Sequence, residues 1–118
     1  MPLSYLVNED SRGVFGDALT HPDLGIDFVR VGDSNGPPLG MLDPEILCWA
    51  EEAGRILISR DKRTLGIHLQ NHLRSGRHSP GVFLIRPGCR IRDLVAFLVE
   101  IAFNTDAEDW VDRDHYFP

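Results

Sequence analysis

Residues 42–63, LDPEILCWAEEAGRILISRDKR, hold a complete helix, stop and strand, and constrain the fold more than any other stretch. Asp43 suits the N-cap, Pro44 the first helical position, and Gly54 the left-handed position that ends a helix. Between them, Ile46, Leu47, Ala50 and Ala53 form an apolar stripe at helical spacing. RILIS, residues 55–59, is a continuous apolar run too short for a helix and predicts a buried strand. Strands buried on both faces and joined through helices are the units of a parallel sheet.

The rest of the chain repeats this alternation. Residues 3–7 and 26–31 predict strands. Between them a weak helix is expected over 11–20, ended by His21, Pro22 and Gly25. GDSNGPPLG, residues 32–40, predicts a mobile loop. A helix over 65–73 carries Leu65, Leu69 and Leu73 on one stripe, and a basic turn over 75–80 follows. A strand over 81–85 stops at Pro87 and Gly88, before a strongly apolar-striped helix over 91–103. The acidic, aromatic tail, 106–118, alternates partly and predicts an edge strand. The expected fold class is α/β: a three-layer α/β/α sandwich around a mostly parallel central sheet, in one domain spanning 1–118.

No apolar run approaches the ~20 residues of a membrane helix, so no membrane association is expected. The opening MPLSYLVNED lacks the basic start of a secretory signal. Cys48 and Cys89 have no C-x-x-C spacing and predict reduced thiols. These features together predict a cytoplasmic protein.

The net charge of −6 argues against indiscriminate nucleic-acid binding, but its distribution is uneven. Residues 1–59 carry −7, residues 60–92 carry +7, and residues 93–118 carry −6. The middle block holds a single acid, Asp61, among eight bases. Such a block either attracts a polyanion or disperses over solvated helix faces.

Ligands of open α/β sheets bind outside the carboxyl ends of the strands. The first predicted strand runs into Asn8, Glu9 and Asp10, and the third into Asp61, while Asp43 and Glu45 open the intervening helix. Parallel pairing would bring these groups to one edge, where oxygen ligands suit Mg²⁺ or Mn²⁺. Arg60, Lys62 and Arg63 are placed to position phosphates. Structural roles compete: Asp43 as a cap, Glu45 at the helix dipole, and Asp10 as a cap for the weak helix. Asp61 has the least structural excuse. His68 and His72, at i and i+4, lack a third ligand and predict a solvated face. Trp49, at the edge of its stripe, predicts core or interface. Ser11 and Ser59 have no evident His–acid partners, and no phosphate or dinucleotide loop is present.

In order and spacing these motifs resemble the small bacterial PIN-like proteins of the DUF5615 family, within the PIN nuclease group. The resemblance runs along nearly the whole chain. Leu6-Val7-Asn8-Glu9-Asp10 is similar to the family's L-L-D-E-N, and Leu42-Asp43-Pro44-Glu45-Ile46-Leu47-Cys48-Trp49-Ala50 to its S-D-E-E-I-L-x-W-A. Gly54-Arg55-Ile56-Leu57-Ile58-Ser59-Arg60-Asp61 is similar to G-R-x-L-x-T-R-D, and Pro80-Gly81-Val82 opens a strand like P-G-V-x-x-L-R. The resemblance implies a PIN-like sandwich and a Mg²⁺- or Mn²⁺-dependent endoribonuclease. It also implies the toxin half of a toxin–antitoxin pair, with RNA as substrate, a cognate antitoxin as partner, and a homodimer. Asp43 and Asp61 become the implied catalytic metal ligands, with Glu9 and Glu45 in support. Asn8 stands where the family has an Asp, and Arg63 where a second Asp follows the third strand. Both changes remove negative charge, and Asp10 is the available substitute. Two alternatives follow: a catalytically weakened PIN-like module that binds RNA or protein, and a receiver-like phosphoacceptor centred on Asp61. The second lacks the expected lysine late in the sheet, because Ile85 runs into Arg86 and Pro87.

Overall fold

The computed structural model describes residues 3–11, 25–60 and 63–117. Within these residues, five short strands form one sheet: β1 (Ser4–Val7), β2 (Asp27–Arg30), β3 (Ile56–Arg60), β4 (Val82–Ile85) and β5 (Asp114–Phe117). All pairings are parallel, in the order β2-β1-β3-β4-β5. Among the described residues, three helices accompany them: α1 (Asp43–Ala53), α2 (Arg63–Arg74) and α3 (Ile91–Asn104). The helix expected over 11–20 lies outside the described residues except for Ser11, which closes a 3-10 turn over Glu9–Ser11. The acidic tail forms an edge strand, as its alternation predicts.

The period of two along each strand divides the core between two faces. Tyr5, Val7, Ile56, Ile58, Phe83 and Ile85 pack with Leu94, Leu98, Ile101 and Ala102 of α3. The intervening Leu6, Leu57, Val82 and Leu84 pack with Ile46, Leu47 and Ala50 of α1 and with Leu65 and Leu69 of α2. Three layers result, with apolar side chains on both sides of the sheet. The Tyr5 hydroxyl donates to the Leu98 carbonyl at 2.8 Å, and burial pushes that phenol's pKa up. Trp49 is half-buried against the α1 and α2 core, so it belongs to packing.

The start of α1 differs from its sequence signature by one residue. Leu42, in extended backbone, is the N-cap, and its carbonyl accepts the Ile46 N–H at 2.9 Å. Asp43 therefore occupies the first helical position, where its charge complements the helix dipole without the N-cap role assigned from sequence. The other end matches its signature: Gly54 is left-handed at φ 68°, and the Arg55 N–H returns to the Ala50 carbonyl at 3.0 Å.

Gly81, entering β4, has φ +130°, and a Cβ there would lie 2.8 Å from the Trp110 carbonyl oxygen. Gly81→Ala is expected to lower stability by about 2–4 kcal/mol in urea unfolding, through strain and overpacking together. A loss below about 1 kcal/mol would show that the Trp110 segment yields. Among the described residues, no helix is long and apolar enough to cross a membrane.

Candidate functional site

Because every strand is parallel, all five carboxyl ends lie on one edge of the sheet. The strand order reverses direction at β1, so the β1–β3 boundary is the switch point where open α/β sheets form their crevice. Helices that return antiparallel to the strands begin at this same edge, which places Asp43 there. Asn8, Glu9, Asp10, Gly40, Met41 and Asp43 line a cavity of about 370 Å³. The structure thus gathers four of the six metal-ligand candidates: Asn8, Glu9, Asp10 and Asp43. Glu45 is exposed on α1 and is not among the lining residues. Asp61 and Lys62 lie outside the described residues.

A directed hydrogen-bond chain crosses the switch point. The register pairs Val7 with Ile58, so Asn8 and Ser59 follow as neighbours on the α1 and α2 face. Asn8, 4% exposed, donates from Nδ2 to Ser59 Oγ at 3.1 Å, while its Oδ1 accepts the Glu9 N–H at 2.8 Å. Ser59, fully buried, donates in turn to Asp10 Oδ2 at 3.1 Å. The Asp10 carboxylate also accepts the Ser11 hydroxyl at 2.8 Å and the Arg60 N–H at 3.4 Å. Glu9 accepts the Gly40 N–H at 2.7 Å, which ties the 32–40 loop to the end of β1.

This chain explains the amide at position 8. Ser59 has one hydroxyl proton and gives it to Asp10, so the group facing Ser59 from β1 must be a donor. An amide supplies one and an ionised carboxylate does not. Ser59 was missed from sequence because its partners are 51 and 49 residues away and become visible only through the β1–β3 register.

The topology also sorts the basic block. Arg60 ends β3, Arg63 begins α2, Arg86 follows β4, and Arg90 and Arg92 flank the start of α3. All five are exposed and belong to the carboxyl edge. Arg74 and Arg77 lie past the other end of the sheet, where Arg77 Nε donates to Glu51 Oε1 at 2.9 Å. The sequence block is therefore not one patch, but five of its eight bases lie on the carboxyl edge.

His68 and His72 do not form the solvated face expected from their spacing. His72 is buried, not solvated, and its Nε2 lies 2.9 Å from the His78 carbonyl oxygen. Burial follows from its place beside Leu69 on the inner face of α2. Nearby, the exposed His78 ring pairs with Asp112 at 2.9 Å, which raises the pKa of His78. Asp112 is held low first by the Ser79 N–H and then by His78.

The donor chemistry at the carboxyl edge, all oxygen, fits a hard divalent cation. Among the described residues, no group of three or more His, Cys, Asp or Glu is arranged to hold a metal ion. Comparison with protein-family models, curated proteins and solved structures returned no match.

Proposed function

We propose that this chain is a Mg²⁺- or Mn²⁺-dependent endoribonuclease of PIN-like type, the toxin of a cytoplasmic toxin–antitoxin pair. The observation that carries the reading is the cavity at the β1–β3 switch point, lined by Asn8, Glu9, Asp10 and Asp43. Asp43 and Asp61 would hold the cation, with Glu9, Asp10 and the Asn8 oxygen as further donors and Glu45 at the rim. The bound metal supplies Lewis-acid activation of water and neutralises charge on the scissile phosphate. The residues of the chain do the positioning. Arg60 and Arg63, with Lys62 between them in sequence, bind the phosphate backbone and draw RNA to the edge that holds the acids. Asp10 is oriented by Ser59, Ser11 and the Arg60 N–H, so its carboxylate keeps one direction. The antitoxin is the expected protein partner.

The second reading, a module that binds RNA without turnover, is favoured by Asn8. That side chain adds no charge where the resemblance calls for an Asp, and both its polar atoms are engaged. The receiver-like reading shares the strand order but finds Arg86, not lysine, after β4.

The test is a cleavage assay on mixed RNAs with Mg²⁺ or Mn²⁺, against chelator. Cleavage should require the cation and fall on the order of 100-fold or more in Asp61→Ala and Asp43→Ala. Cleavage that persists in chelator, or survives both substitutions, overturns the assignment. RNA retention without turnover in wild type selects the second reading.

A further inference from the structure

A different chemical cluster lies between α1 and α2, independent of the acidic cavity. Cys48 Sγ is 4.0 Å from His72 Nδ1. His72 Nε2 is 2.9 Å from the His78 carbonyl oxygen and 3.0 Å from Glu51 Oε1. A carbonyl oxygen and an ionised carboxylate only accept hydrogen bonds. When the imidazole is neutral, its one proton therefore sits on Nε2, and Nδ1 turns its lone pair to the thiol. Glu51 stays ionised because Arg77 Nε and the His78 N–H donate to it, and its pKa is held below the usual range. Nucleophile, base and orienting acid thus stand in sequence. The His72 side chain is 4% exposed, whereas Cys48 is half-buried beside a cavity of about 250 Å³. Pro44, His68, Asn71, His72, Ser75 and Arg77 line the rest of that cavity.

We propose that Cys48 is a thiol–disulfide exchange site for a low-molecular-weight disulfide, with His72 as its base and Glu51 holding that base. The Cys48 proton passes to His72 Nδ1, and the thiolate attacks one sulfur of the disulfide. The new S–S bond forms as the old one breaks. The departing thiolate takes the proton back from Nδ1 and leaves as a free thiol. Cys48 is oxidised to a mixed disulfide and one sulfur of the reagent is reduced. A second thiol reverses the step.

The surroundings select this chemistry over acyl transfer. Cys48 lies in the interior of α1, where its own N–H belongs to the helix and does not serve an oxyanion at Sγ. Disulfide exchange keeps its developing charge on sulfur and needs none. Cys89 provides an internal reference. It packs against the core on the opposite face of the sheet, its Sγ donates to the Arg90 carbonyl at 3.6 Å, and burial, then Asp93, pushes its thiol pKa up.

The experiment treats the full chain with oxidised glutathione at pH 7 and follows each cysteine by mass spectrometry. Cys48 should form its mixed disulfide at least about 10-fold faster than Cys89. His72→Gln and Glu51→Gln should each slow Cys48 by about 10-fold and leave Cys89 unchanged, the latter reporting an intact fold. The pH profile adds a readout that packing alone would not move. The Cys48 rate should rise more steeply with pH in His72→Gln than in wild type, because the variant has no base to take the thiol proton. The groups facing this titration are Glu51 on α1, His68 and His72 on α2, and Arg77 and His78 beyond it. If His72→Gln also accelerates Cys89, that variant has opened, and Glu51→Gln decides. Cys48 reacting no faster than Cys89, or unslowed in Glu51→Gln, overturns the proposal.

Discussion

Phe83→Ala is expected to lower stability by about 3–5 kcal/mol. The ring is 1% exposed at the centre of β4 and meets five aromatic neighbours. Its centroid lies 5.2 Å from Trp110, 6.1 Å from Phe97 and Phe117, 6.2 Å from His115 and 6.3 Å from Tyr5. Most of these contacts are edge-on, the geometry that adds about 0.5–1.5 kcal/mol per pair beyond burial. The neighbours come from β1, α3, β5 and the Trp110 segment, so no single shift can refill the hole. Against a typical total of about 5–15 kcal/mol, the loss would leave little margin. Urea unfolding followed by tryptophan fluorescence measures it, with Phe83→Leu as a smaller deletion. A loss below about 1 kcal/mol would mean that the aromatic cluster collapses onto the vacancy.

Asn8→Asp is expected to destabilise the protein by about 3 kcal/mol near neutral pH, and to make its stability depend on metal and pH. The Nδ2 donor to Ser59 is lost, and the single Ser59 proton must then serve two carboxylates. The introduced group is disfavoured as an anion by burial and by Asp10, so its folded-state pKa rises above the unfolded value near ~3.9. The folded state then binds more protons than the unfolded one. Stability relative to wild type should recover as pH falls through the raised value and worsen as pH rises. A divalent cation coordinated at this edge offsets the repulsion, adding up to about 2.7 kcal/mol at 100 times its dissociation constant. Thermal midpoints with Mg²⁺, with Mn²⁺ and with chelator, for variant and wild type, test this. A variant destabilised as expected but indifferent to both cations would count against a metal site between β1 and α1.

Much of the fold can be read from the chain because its strands are buried on both faces. VFLI and ILI need no alternation to declare themselves, and Gly54, ending α1, and Pro87, following β4, mark boundaries without long-range information. The boundary at Asp43 shifts by one because Leu42, a poor N-cap by composition, fills the position through its backbone. Strand order is not legible in the same way: no local pattern says that β1 lies between β2 and β3. Everything that depends on that order escapes a linear reading. The chain from Asn8 through Ser59 to Asp10 needs the β1–β3 register. The pairing of Cys48 with His72 needs α1 beside α2, and it turns an apparent surface histidine pair into one buried and one half-buried residue on the same cavity. The acids could be assigned to one edge from sequence, since parallel strands all end there whatever their order, but which of them meet in one cavity depends on that order.

The position of β5 bears on how the chain is made. β4 is buried along its whole length, yet one of its two hydrogen-bonding edges is closed only by β5, which follows the whole of α3 in sequence. During synthesis the VFLI segment therefore leaves the ribosome well before its outer partner exists. A short, uncharged, β-branched and aromatic strand with an open edge is the kind of segment that pairs with other chains. Arg86 and Pro87 directly after it act as gatekeepers during that interval. Slowing translation between codons 86 and 113 would lengthen the exposure, and yield of soluble protein would then follow the timing of β5 as much as the stability of the finished sheet.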